Sequence, residues 1–159
     1  MNINSAIKHF FVENDFDKLA EKISVVRNDG VVVFSNSTDF TESNSIGALV
    51  GGLWQAAEAL NSIVSRDSDI FEFRMSFDTS EKGIYVLPLK IKIATYYLCA
   101  IYKDINNPAV LKKNLRNLRD NLYFYLKNSV TENKSVQNDY LFTNISDEEM
   151  DKLFKFAEI

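Results

Sequence analysis

Between Ile46 and Val64 the chain carries apolar residues on two helical stripes, and a helix that is apolar twice over must be covered twice. At roughly 100° per residue, Ile46, Leu49, Val50, Leu53, Ala57, Leu60 and Val64 share one face, whose bulk suits packing on a sheet. Ala48, Gly52, Ala56, Ala59 and Ile63 form a second stripe about a third of a turn away, small and flat. Gly51 and Gly52 each cost a helix interior about 1 kcal/mol relative to Ala, so a stable helix here implies that something uses the close approach they permit. A second helix is the natural occupant, either from the same chain or from a partner that includes a second copy.

The flanking segments change period. Ile23 to Arg27 and Val31 to Ser35 enclose Asn28-Asp29-Gly30, where glycine supplies the positive φ of a tight turn, which predicts a β-hairpin. Ser35 to Asn44 is Ser, Thr, Asn and Asp almost throughout and reads as a loop leading to a helix cap at Asn44 or Ser45. Ile70 to Phe77 alternates, with Phe71, Phe73, Met75 and Phe77 on one side, as a half-buried strand does. The loop Asp78 to Gly83 returns the chain into Ile84 to Leu89, where Pro88 marks a strand end or an edge. Ala94 to Tyr102 is almost continuously apolar, the signature of a central strand covered on both faces.

Helices bracket these strands. Ile3 to Ala20 predicts one or two short helices, and from Asn107 a helix with Pro108 in its first turn carries Leu111, Leu115, Leu118, Leu122 and Tyr125, ending near Lys127. Asn128 to Asn138 is polar; Tyr140-Leu141-Phe142 and a helix from Asp147 to about Phe156 follow, docking through Met150, Leu153, Phe154 and Ala157. Ser146 and Glu149 fit a capping box at its start. The expected organisation is one domain over 1–127 and a linker with an appended helix over 128–159.

Composition removes several classes of chemistry. The 18 Lys and Arg against 22 Asp and Glu leave a net charge of -4, which argues against a dedicated nucleic-acid binder. Cys99 is the only cysteine and His9 the only histidine, so neither a disulfide within the chain nor a structural zinc site has the material it needs. His9, next to Phe10 and Phe11, reads as a packing residue, and Cys99 inside the most apolar strand reads as a small buried hydrophobe. Asp67 and Asp69 read as a turn, and Asp147, Glu148 and Glu149 as helix capping. There is no phosphate-cradling glycine motif and no run of about 18 apolar residues. The expectation is therefore a soluble, cytoplasmic, non-enzymatic protein with no catalytic residue, metal or cofactor, no nucleic-acid partner and no direct membrane insertion.

One charge pattern stands out. The helix from Asn107 carries Lys112, Lys113, Arg116, Arg119 and Lys127 against Asp120 alone, while Asp147, Glu148, Glu149, Asp151 and Glu158 dominate the C-terminal helix. The basic residues are either a solvated face or a surface for an anionic partner or the acidic segment, with Lys112, Arg116 and Arg119 as its candidate residues.

The order helix, hairpin, long helix, hairpin, central strand, helix resembles the Roadblock/dynein light chain family, a relative of longin and profilin-like folds. The matching segments are Val25 to Ser35 with its Asn28-Asp29-Gly30 turn, the helix from Gly47-Ala48-Leu49 to Ala57-Glu58-Ala59-Leu60, Ile84 to Leu89, and the Leu-rich helix Asn107 to Leu126. They span about Ile3 to Lys127; Trp54, the adjacent glycines and the C-terminal extension depart from the family pattern. The resemblance implies an α/β/α sandwich with a mostly antiparallel sheet of about five strands and helices on both faces. It further implies a homodimer whose long helices pair and whose sheets join edge to edge, without an active site. Family members act as scaffolds or regulators of small Ras-like GTPases, including bacterial versions in cell polarity and gliding motility, and as subunits of dynein and lysosomal assemblies. The stripe Ala48, Gly52, Ala56, Ala59 and Ile63 lies on the helix that makes this dimer.

Two readings of function follow: a homodimeric scaffold that binds and regulates a small Ras-like GTPase, or a chaperone-like adaptor that holds a peptide or protein client on a sheet edge or apolar groove. A third is a small ligand between sheet and helix, lined by Phe71, Phe73, Met75 and Phe77. In the first reading the acidic C-terminal helix masks the partner surface.

Overall fold

The computed structural model describes residues 2–14, 16, 19–64, 73–91 and 94–131. Asp67, Asp69, Phe71, the Tyr140 to Phe142 run and the expected C-terminal helix with its acidic cluster lie outside these residues.

The local signals of the first hairpin produce the structure they predict. Strands β1 (Lys22–Arg27) and β2 (Val32–Ser35) pair antiparallel across a turn in which Gly30 adopts a φ of 84°, a region closed to most side chains. The Asp29 carboxylate accepts from the Val31 backbone N–H at 3.2 Å and pairs with the Arg27 guanidinium, fastening the turn. A β-bulge between Val25 and Val26 bends the pair.

Strands β3 (Met75–Asp78), β4 (Gly83–Ile91) and β5 (Ala94–Tyr102) complete a five-stranded sheet in the order β2-β1-β5-β4-β3, antiparallel at every junction. The apolar run at β5 lies mid-sheet, bonded to β1 and β4, as its composition required. Pro88 does not end its strand, which continues to Ile91. Pairing with β3 covers only Gly83 to Val86, so Pro88 faces Tyr97 of β5 on one side and no described strand on the other; a missing N–H is tolerated there. The strand expected from Ile70 to Phe77 is described only from Met75, and Phe77 is 80% exposed instead of half-buried.

Helices cover both faces. Helix α1 (Ile3–Asn14) and helix α3 (Pro108–Thr131) bury Ala6, Ile7, Phe10 and Phe11 together with Leu111, Leu115, Leu118, Leu122 and Leu126 against Val25, Leu87, Leu98 and Ala100. Helix α2 (Phe40–Val64) lies on the other face, where Val50 and Trp54 meet Val26, Val86, Tyr97 and Cys99. The architecture is the α/β/α sandwich that the family resemblance implies. Alternate residues of each strand serve opposite cores, which is why β5 tolerates no polar position in its centre.

Two helix ends differ from expectation. The cap of α2 is Asp39 and not Asn44 or Ser45: its Oδ1 accepts the backbone N–H of Thr41 at 2.9 Å and of Glu42 at 3.1 Å. Glu42 is held in turn by the Ser37 hydroxyl at 2.6 Å and by the Lys22 ammonium, so the polar stretch preceding Ile46 is a cap and a first turn. Asp39→Ala is expected to cost about 1 kcal/mol, read as a lower urea midpoint at unchanged slope. Helix α3 runs on to Thr131, four residues past the expected stop at Lys127.

Candidate functional site

The most unusual surface of the molecule is the outward side of α2, and its inward side explains why. Ser43, Gly47, Val50, Gly51 and Trp54 are buried against the sheet and the β1–β2 turn. A Cβ on Gly47 would stand 2.4 Å from the Gly30 carbonyl oxygen and 2.6 Å from Val32 Cγ2, and one on Gly51 would stand 3.3 Å from Gly30 Cα. The close approach foreseen at Gly51 is therefore used by the hairpin turn and not by another helix. Gly47→Ala is expected to lower stability by about 1–3 kcal/mol, although Ala is the better helix former by about 1 kcal/mol; chemical denaturation checks it.

This contact sets the rotation of the helix. Trp54 packs against Tyr97 with ring centroids 4.9 Å apart and ring planes tilted by 31°, and donates its indole N–H to Glu58 Oε1 at 2.9 Å. With the glycines and Trp54 turned inward, Leu49, Leu53 and Leu60 point away from the sheet on which the sequence placed them. Leu49 is 73%, Leu60 66% and Ile63 80% exposed. The five stripe residues Ala48, Gly52, Ala56, Ala59 and Ile63 are all exposed as well, and a Cβ on Gly52 would touch nothing within 4 Å. Bulky and small residues thus merge into one outward apolar arc spanning about 140° of the helix circumference. The sequence missed the contribution of the leucines because it assigned them inward.

The basic residues Lys112, Arg116 and Arg119 share one flank of α3, each only partly exposed and each engaged within the chain. The Lys112 ammonium lies 2.6 Å from Asp78 Oδ2 and 5.6 Å from the centre of the Tyr85 ring. Arg116 donates to the Tyr85 hydroxyl at 3.3 Å, and Arg119 pairs with Asp120 at 2.7 Å. Lysine bonding, then that of Ser76, holds the Asp78 carboxyl below its usual range. Because the folded value is the lower one, this contact stabilises fully above the ordinary aspartate value and is lost as pH falls through the folded one. The melting temperatures of the native chain and Lys112→Met are expected to converge below about pH 4, relative to their separation at pH 7.

His9 is not a packing residue: it is exposed, with Nδ1 3.0 Å from the Tyr125 hydroxyl and 3.1 Å from Glu13, linking α1 to α3. Cys99 is buried in β5, where desolvation pushes its thiol up to about 12, out of reach of thiolate chemistry at neutral pH. Of the aromatic strand residues, Phe73 and Met75 line a hollow of about 110 Å³ with Trp54, and Phe77 lies elsewhere on the surface. Among the described residues no group of three or more His, Cys, Asp or Glu is placed to hold a metal ion, and no helix is long and apolar enough to cross a membrane.

By sequence, no family model and no curated protein matches the chain. By structure it is similar to Myxococcus xanthus MglB, at 16% identity and a TM-score of 0.55 over 82% of this chain and 88% of that one. It is also similar to the gliding protein MglB of Thermus thermophilus, at 12% identity and a TM-score of 0.58 over 81% and 93%. A Roadblock/LC7 domain from Streptomyces avermitilis follows at 16% identity and a TM-score of 0.52 over 66% and 83%. These likenesses extend over two thirds to four fifths of the chain, and the chain has the Roadblock/LC7 fold, here a five-stranded antiparallel sheet between helices.

Proposed function

We propose that the chain is a non-enzymatic module that pairs with a second copy of itself through the outward face of α2 and, as that dimer, binds and regulates a small Ras-like GTPase. The observation that carries the reading is the outward arc itself: a strip of Gly and Ala that includes Ile63, with Leu49, Leu53 and Leu60 along one side of it, on a helix whose other side is already satisfied. Apolar surface this continuous marks an interaction site, and the small residues along one side of it let two helix backbones approach closely. No titratable side chain lies on the arc, which suits association and not catalysis. The GTPase partner is supported by the fold shared with MglB proteins and by the resemblance of the hairpin, α2 and α3 segments to a family of GTPase scaffolds.

The test is size-exclusion chromatography with light scattering, followed by capture from the native extract with GDP and with a non-hydrolysable GTP analogue. A dimer that retains a small GTPase in one nucleotide state is the expected result. A monomer at tens of micromolar would overturn the pairing; an unfolded client retained equally in both lanes, with no GTPase, would replace the regulator reading by the adaptor one.

A further inference from the structure

Strand β2 forms one margin of the sheet, and no described strand lies beyond it. Asn36 donates its backbone N–H to the Ile23 carbonyl and Phe34 faces Val25, so Ser35 between them turns its own N–H and C=O away from β1. A groove of about 440 Å³ runs along this edge, lined by Val12 of α1 on one face of the sheet and Phe40 of α2 on the other. These two side chains are 82% and 79% exposed, high values for large apolar residues beside unpaired main-chain groups. Lys8 is the only charged residue lining the groove and has no ion-pair partner among the described residues.

We propose that this edge is a docking site for an extended segment of a partner protein, which adds a strand to β2 and carries an apolar side chain for each rim and a carboxylate for Lys8. The main chain selects the class of occupant. Ser35 presents one donor and one acceptor side by side, and a backbone in strand conformation answers both with a single residue. The rims select its side chains, because successive residues of a strand point to opposite faces. Those faces are marked on β2 itself: Phe34 stacks on Phe11 of α1 with centroids 4.0 Å apart, and the Ser35 hydroxyl accepts from Ser43 of α2 at 3.2 Å. Residues directly opposite one another share a face, so the one opposite Phe34 lies on the Val12 side and the one opposite Ser35 on the Phe40 side. Charge selects further: with Lys8 as the only charge in the groove, an acidic segment is attracted and a basic one repelled.

The site shares no residue with the outward arc of α2, so it stands apart from the pairing and GTPase reading. The probe is a displayed library of random octapeptides, selected on the full chain and counter-selected on the Val12→Ser, Phe40→Ser double variant. Enriched sequences are expected to hold adjacent apolar residues and an acidic one. They are expected to bind the double variant at least about tenfold more weakly, and Lys8→Met about threefold more weakly. The Ser35 amide is the direct reporter: its hydrogen exchange is expected to slow at least about tenfold with an enriched peptide bound, and to stay unchanged with the same peptide N-methylated along its backbone. A selection that yields no peptide sensitive to the groove substitutions, or peptides that bind without protecting Ser35, would overturn the proposal. So would a Ser35 amide already protected in the peptide-free chain: protection lost on dilution assigns the edge to a second copy, and protection kept on dilution assigns it to the chain itself.

Discussion

Trp54→Ala is expected to cost about 3–5 kcal/mol, a large share of the roughly 5–15 kcal/mol that holds a domain of this size together. The side chain is almost fully buried and is the largest on the inward face of α2; its tilted contact with Tyr97 brings the helix down on β5, and its indole N–H is satisfied by Glu58 one turn on. Around it stand Val26, Val86 and Cys99, packed from three strands. Strand residues this constrained cannot collapse into the space vacated, so a cavity adds to the lost transfer energy. Urea denaturation followed by far-UV circular dichroism reads the effect directly. A loss below about 1 kcal/mol would mean that α2 is held by its glycine contacts instead.

The second large effect concerns association, not folding. Gly52→Leu places its side chain in open space on the single chain, where a Cβ meets nothing within 4 Å, and replaces a poor helix former. Folding stability of the monomer is therefore expected to rise by up to about 1 kcal/mol. In the proposed dimer the same side chain falls between two closely packed backbones, and overpacking there costs about 1–3 kcal/mol per copy, about 2–6 kcal/mol for the pair, which raises the dimer dissociation constant by roughly thirtyfold to ten-thousandfold. Analytical ultracentrifugation separates the two outcomes: a variant that melts higher yet sediments as a monomer is expected, and one that stays fully dimeric sinks the assignment of this seam.

How far the fold was legible depended on the range of the interaction that encodes each piece. The β1–β2 turn was readable because Asn28-Asp29-Gly30 carries its own reason for bending, and β5 because both of its faces must be apolar. The rotation of α2 was not. Hydrophobicity alone turns Leu49, Leu53 and Leu60 toward the sheet, but Gly47 and Gly51 meet the backbone of a turn some twenty residues upstream, and Trp54 meets Tyr97 far downstream in β5. Once these contacts are made, the leucines are carried outward. The small stripe, for which the sequence left open a helix of the same chain or a partner, is exposed, and the leucines beside it belong to the same outward surface and not to the sheet. The Asp39 cap was hidden by the polar residues after it, which resemble a loop because Thr, Glu, Ser and Asn in a first helical turn bond to the same groups as in a loop. On α3, the charge pattern was visible but the in-chain partners Asp78 and Tyr85 were not, since they arrive from other strands.

The seam between Gly30 and α2 has an evolutionary consequence. Because the helix is registered on the sheet through backbone atoms, Val50 and Trp54, none of Ala48, Leu49, Gly52, Leu53, Ala56, Ala59, Leu60 and Ile63 is needed to hold it there. Mutations on that exterior are therefore cheap to the fold and expensive only to whatever it touches. A duplicated copy of such a gene can rewrite its recognition surface step by step, passing through sequences that all still fold, and so acquire a new companion without first losing its shape.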